Sequence, residues 1–182
     1  MKDLSWKTIS KEYIFKDDWI RMRKDSCETP EGKLVSPYYV YEFPDWAIAV
    51  AMTTDGRFIF ERQYRHALGL TSYELPGGCI DGSDASPEAA VRRELLEETG
   101  YSFSSVEFLG KTSANPSTFD NWAYLYLATG GELTHPQQLD HGEEIEVQLF
   151  TIDELRQLLS EGGIVQSMHV TALFYALPKL GF

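Results

Sequence analysis

Basic charge is scarce in this chain. Its 16 Lys and Arg stand against 28 Asp and Glu, a formal net charge of -12, and the pI is near 4.7. That excludes the basic footprint that grips a phosphate backbone, so no nucleic-acid partner is expected. Cysteine is nearly absent. Cys27 and Cys79 form no CxxC pair and are too few for a disulfide framework. Long apolar runs are missing too: the longest, 46–52, is far too short to span a bilayer, and the charged first residues lack the apolar stretch of a leader. A cytoplasmic protein with no membrane partner is the expectation. Internal repeats and low-complexity tracts are also lacking.

What is present suits one globular domain, or one with a small appendage. Hydrophobic residues make up 43% and aromatics 13% of 182 residues, enough to build a sizeable core. The first part reads as strands: 13–15, 19–23 and, after the turn Thr29-Pro30-Glu31-Gly32, the Tyr- and Val-rich run 34–43. This predicts a small antiparallel unit over 1–43 and a second region over 44–182. There, 46–52 and 58–60 flank the hairpin signal Asp55-Gly56. A loop rich in Gly, Asp and Ser follows from 77 to 86. Ser86-Pro87 predicts a helix start and Gly100 its end. Later strands are expected at 106–108, 123–128 and 145–150, and helices at 153–159 and 168–177. The mixture predicts an α/β fold with a mixed sheet.

The informative segment is Arg93-Glu94-Leu95-Leu96-Glu97-Glu98-Thr99-Gly100. On a helix, Glu94, Glu97 and Glu98 share one side, because their spacings are i,i+3 and i,i+4. Three like charges there repel, and a divalent cation turns that repulsion into coordination. Oxygen ligands suit Mg²⁺ or Mn²⁺. Charge runs usually only face water. Here, however, the helix follows the glycine-rich loop Pro76-Gly77-Gly78, which lets backbone approach a metal or anion.

The stretch 78–101 resembles the Nudix box: a glycine, a later glutamate, then Arg-Glu-aliphatic-x-Glu-Glu-x-Gly-aliphatic. The second half is complete in Arg93, Glu94, Leu95, Glu97, Glu98 and Gly100, with Tyr101 in the last place. The first half departs. Counted forward from Gly78, the glutamate falls at Asp84; counted back from Arg93, it falls at Ala85, so the loop is one residue longer. Either Asp84 serves as a shorter carboxylate or the position is lost. The resemblance implies a Nudix-type α/β/α sandwich with the N-terminal β unit added. It also implies hydrolysis of a nucleoside diphosphate linked to another moiety. It assigns metal binding to Glu94, Glu97, Glu98 and the Gly77 carbonyl, catalysis to Glu97 and Glu98, and support of the box to Gly78, Asp84, Arg93 and Gly100.

Upstream, Glu61-Arg62-Gln63-Tyr64-Arg65 and Tyr73-Glu74-Leu75-Pro76 are similar to the ADP-ribose pyrophosphatase branch. The branch implies substrate contacts from this arginine stretch. On a straight strand Arg62 and Arg65 point to opposite faces, and Arg62 is the favoured phosphate ligand. Pro116, after the box, has a counterpart in the branch. Trp19 and Tyr38 or Tyr39 fall near the places where related chains stack aromatics on the base. The acidic stretch 140–147 is where relatives place a catalytic glutamate, here assigned to Glu143 rather than His141. The N-terminal strands imply a homodimer. The reading is a cytoplasmic Mg²⁺- or Mn²⁺-dependent hydrolase of ADP-ribose or a related nucleotide sugar, releasing a nucleoside monophosphate and a sugar phosphate. Two alternatives stand beside it: another nucleotide sugar such as GDP-mannose, and a non-catalytic nucleotide-sugar sensor on the same fold.

Overall fold

A computed structural model describes all residues, Met1–Phe182. Its contacts divide the chain into two units, Met1–Pro44 with Ser113–Asn121, and Asp45–Thr112 with Trp122–Phe182.

In the first unit, β1 (Lys7–Lys16), β2 (Arg21–Glu28) and β3 (Leu34–Glu42) form an antiparallel sheet in that order. The β1–β2 turn is made by Asp17, whose Oδ1 accepts the N–H groups of Trp19 at 2.9 Å and Ile20 at 2.7 Å. This side-chain turn takes Trp19 out of the strand expected over 19–23 and leaves it at the hairpin tip, 86% exposed. Every residue of β1 is exposed. The polar centre of the sheet is Arg23, which pairs with Asp25 at 3.1 Å and also with Glu42. The segment 113–121 joins this unit through backbone: Tyr41 N–H donates to Thr118 O at 2.8 Å. The Phe119 ring lies 5.1 Å from Phe43 and 6.0 Å from Tyr41.

The second unit is a seven-stranded mixed sheet. Its main path is β10 (Ile145–Phe150), β5 (Phe58–Arg65), β4 (Trp46–Thr53), β9 (Ala123–Leu133) and β8 (Tyr101–Thr112), with β6 (Leu70–Glu74) on β5 and β7 (Gly77–Cys79) on β4. The β4–β9 pair is parallel. The apolar run of β4 is buried almost throughout. Ala47, Ala49 and Ala51 form one core with Ala90, Val91 and Leu95 of α1 (Pro87–Thr99), and their small side chains let that helix approach closely. Ile48 and Val50 alternate to the other face. Two further helices, α2 (Ile152–Ser160) and α3 (Ser167–Lys179), complete the α/β architecture, with α3 against β4 and α2 against β10. No helix is long and apolar enough to cross a membrane.

Strands β4 and β5 pair only at Ala51↔Ile59 and Met52↔Phe58. Beyond that they splay, and β6 and β7 fill the opening, each hydrogen-bonded to one of them. The link between the two short strands is pinned where Ala49 N–H donates to Pro76 O at 3.0 Å. Neither short strand is predicted from the sequence. Helix α1 starts where expected: Ser86 Oγ accepts from Ala89 N at 3.1 Å, and Gly100 closes the helix in the left-handed region at φ 77°.

Candidate active site

The carboxylates of α1 continue its buried side rather than oppose it, Glu94 one turn after Ala90 and Glu98 two turns after Val91, and they face β7. Glu98 Oε2 accepts the Gly77 N–H at 2.9 Å. Gly77 has φ +143°, and a Cβ added there would collide with the Ala47 carbonyl. A Cβ on Gly78 would stand 2.5 Å from Glu94 Oε1. Gly77 therefore lets this backbone lie against β4, and Gly78 leaves room beside it for the Glu94 carboxylate.

Burial charges this corner with free energy. It pushes the Glu94 carboxyl up to about 7, helped by the charges of Glu97 and Glu143 and opposed by Arg93. Glu98 is also raised, by burial first and then by Glu94 and Glu143, while the Gly77 N–H works the other way. A third carboxyl, Glu61 of β5, is 3% exposed and raised by burial and by the adjacent Glu98. Beside it, Arg65 holds Glu74 with two bonds, at 2.8 Å and 2.7 Å. Burial would raise Glu74, but Arg65 and Ser72 hold it below its ordinary value. On α3, His169 Nδ1 accepts the Leu75 N–H at 3.1 Å. Burial lowers this imidazole to about 4, so it is a neutral acceptor that anchors the backbone leading to Gly77.

Arg93 ties the loop to the helix. It donates to Asp84 at 3.1 Å and 3.0 Å, to Cys79 O at 3.2 Å and to Glu97 at 2.9 Å, and it lies 3.1 Å from Glu94. In the lengthened loop Asp84 reaches the arginine and also accepts Asp81 N–H at 2.8 Å. Glu143 stands in the turn before β10, its Oε2 accepting Asp140 N–H at 2.9 Å. It is near enough for its charge to raise Glu94 and Glu98.

The remaining expected site residues are placed as follows. Arg62 points away from Glu61, pairing with Glu146 at 2.8 Å in water, whereas Arg65 shares the face of Glu61 and Glu98. Strand alternation thus puts the two on opposite faces, with the buried carboxyls on the Arg65 side. In the first unit, Tyr38 donates to Ser117 O at 2.6 Å and meets the Trp6 ring edge-on at 5.9 Å. Tyr39, its strand neighbour on the opposite face, is half-exposed, and Pro116 lies in the exposed turn next to Ser117.

The sequence reading gave no role to Glu61, Glu74 or His169. Glu61 and Glu74 both stand in the stretches that resemble the branch, but only the β5–β6 pairing, which sets Glu61 opposite Glu74, brings them together. One residue type carried a signal: an acid directly after the apolar run Phe58-Ile59-Phe60 is unusual unless it is paired or functional.

No three Asp, Glu, His or Cys groups stand in an arrangement ready to hold a metal ion. Arg93 takes Glu94 and Glu97 while Glu98 turns to Gly77, as repelling carboxylates do when cationic and N–H partners are at hand. The donor chemistry nevertheless fits a hard divalent cation: the groups are oxygens, and the buried Glu61 Oε1 has no hydrogen-bond partner.

Residues 43–168 match the NUDIX domain family, and residues 6–41 match the Nucleoside diphosphate sugar hydrolase N-terminal domain. The chain is 30% identical over 170 residues to the Methanol dehydrogenase activator of Bacillus methanolicus, covering 93% of this chain and 91% of that one. It is 30% identical over 180 residues to the ADP-ribose pyrophosphatase of Bacillus subtilis, covering 98% and 96%. A crystal structure of an ADP compounds hydrolase superposes with a TM-score of 0.84 at 21% identity, over 100% of this chain and 97% of that one, a likeness of fold.

Proposed function

Because the chain belongs to the NUDIX family and is a Nudix pyrophosphohydrolase, we propose that it cleaves the diphosphate of ADP-ribose or a related ADP-sugar, releasing a nucleoside monophosphate and a sugar phosphate. The observation that carries this reading is the corner where Gly77 and Gly78 press against Glu98 and Glu94, on a chain similar along nearly its whole length to an ADP-ribose pyrophosphatase.

A Mg²⁺ or Mn²⁺ ion held by Glu94, Glu97, Glu98 and the Gly77 carbonyl would neutralise phosphate charge and acidify the attacking water. The chain's own residues do the rest. Glu143 accepts the proton of that water, with its reach to the corner set by the Asp140 turn. Arg65 presents a planar fork on the carboxyl side of β5, suited to a phosphate oxygen once the substrate competes with Glu74. Arg93 and Asp84 keep the loop on the helix, so the backbone of Gly77 stays in place. Trp19 and Tyr38 or Tyr39 supply aromatic faces for the base, and Pro116 shapes the turn beside them. The exposed apolar residues of β1, among them Ile9, Tyr13, Ile14 and Phe15, support a homodimer in which the N-terminal unit makes the contact. The free thiols Cys27 and Cys79 support a cytoplasmic location.

The test is a hydrolysis panel of ADP-ribose, other nucleotide sugars including GDP-mannose, and nucleoside triphosphates, with each divalent cation and with product identification. Metal-dependent release of AMP and ribose phosphate, fastest for ADP-ribose, is expected. A preference for GDP-mannose or for triphosphates would overturn the substrate, and no turnover of any compound would favour the sensor.

A further inference from the structure

We propose that Glu61 of β5 is itself a ligand of the divalent cation, in addition to the carboxylates of the box helix. This rests on the reading above and goes beyond it, because Glu61 lies outside the box, on a different strand. The argument starts from the partners of each buried group. Glu74 is satisfied by both bonds from Arg65 and by Ser72 at 2.8 Å, which leaves the Arg65 fork engaged. Glu98 has the Gly77 N–H on one oxygen. Glu61 is 3% exposed, and no N–H or O–H of the protein donates to its Oε1. A buried carboxyl oxygen with no donor is costly, and native proteins rarely leave one.

Two carboxyls facing each other from β5 and α1 can be reconciled by one shared proton or by one cation. A shared proton lies between one oxygen of each and cancels only one of the two charges. A divalent cation matches the pair in full and takes hard oxygen donors, Glu61 Oε1 among them. Glu61 also lies on the strand that splays from β4, so its side chain enters the site from the sheet, while Glu94, Glu97 and Glu98 enter from the helix.

The experiment uses the full chain stripped with EDTA and titrated with Mn²⁺ alone, free Mn²⁺ being read by electron paramagnetic resonance. The variants are Glu61→Gln and, as a control, Glu144→Gln on the exposed loop. We expect the Mn²⁺ dissociation constant of Glu61→Gln to rise at least about tenfold, with a melting temperature in EDTA no lower than wild type, and Glu144→Gln to match wild type. Affinity unchanged in Glu61→Gln overturns the proposal and assigns the pair a proton only. Should Glu61→Gln fail to fold, anomalous scattering from Mn²⁺ in wild-type crystals decides: an ion in coordination with Glu61 supports the proposal, and an ion held by helix carboxylates without Glu61 sinks it. Wild type that binds Mn²⁺ and cleaves ADP-ribose while Glu61→Gln binds as tightly fails this inference alone. Wild type that neither binds Mn²⁺ nor cleaves anything fails the proposed function with it.

Discussion

In the unit of 45–112 and 122–182, apolar side chains are inside: Leu95, Ile59, Phe60 and Leu125 have no exposed surface. In the unit of 1–44 and 113–121 the order is nearly reversed. Strand β1 buries no residue, its aromatics face outward, and the most enclosed side chains include Asp25 beside Arg23. A sheet with a bare apolar face and a charged interior does not gain enough from its own burial to stand alone. The second unit differs because its core is closed and the carboxyls and imidazole it buries, Glu61, Glu74, Glu98 and His169, gather at one corner. Buried charge in the first unit is paired arginine and carboxylate, which makes structure. Buried charge in the second is an excess of carboxyl over cation, which makes a site.

Breaking the closed core has the largest expected effect. Leu95→Ala should cost about 2–5 kcal/mol of stability, read by urea denaturation. Ile9→Ser on β1 should leave the monomer's stability nearly unchanged, within about 0.5 kcal/mol, yet shift sedimentation at micromolar concentration from dimer to monomer. A monomeric wild type would remove that contrast. Next comes the site: Glu97→Gln and Glu98→Gln should each lower kcat on ADP-ribose by about 100-fold or more while melting normally, since an amide is a poor ligand for a hard cation. Normal rates in both would end the assignment of the helix carboxylates.

A smaller effect is expected at the aromatics of the first unit. Trp19→Ala should raise KM for ADP-ribose about tenfold, the loss of one base stack, with little change in kcat. Unchanged KM would move base binding elsewhere. The smallest effect is a slope with pH. In EDTA, the folded chain near pH 6.5 still holds protons on Glu94 and Glu98, whereas unfolded carboxyls, which titrate near 4.5, have released theirs. The folded state binds more protons, so stability falls as pH rises from 6.5 to 8. His169 tilts the curve the other way only below its ordinary value of 6.5, where the unfolded chain takes a proton that the buried imidazole refuses. A melting temperature lower by about 2–4 °C at pH 8 is expected, and saturating Mg²⁺ should abolish the decline. A flat profile in EDTA would show that the carboxyls carry no extra protons.

Much of this was legible because some features are local. Ser86, Pro87 and Gly100 announce α1 by capping chemistry that needs no distant partner, and the apolar runs over 46–52 and 58–60 announce buried strands. The carboxylates of α1 were legible through helical spacing together with the family resemblance. What was not legible depends on pairing across the fold. The strands β6 and β7 are short and polar, and exist because β4 and β5 part. Glu61 and Arg65 acquire their meaning only when β5 lies beside β6 and under α1. Trp19 was misplaced because one side chain, Asp17, overrode the strand propensity of its neighbours by taking two backbone N–H groups.

The grouping of 113–121 with the N-terminal strands has a consequence for anyone who would cut this protein apart. The first unit is not a contiguous piece of chain; it is completed by a loop whose two ends emerge from β8 and β9. Cleavage after Pro44 would therefore not free an intact fragment, because Tyr41 would leave behind the Thr118 carbonyl it donates to and Phe43 the ring of Phe119. A gene beginning at residue 45 would encode that loop without the strands that hold it, and a gene ending at residue 44 would encode the strands without their last backbone partner. Grafting the N-terminal sheet onto another scaffold would require carrying the loop as a second insertion.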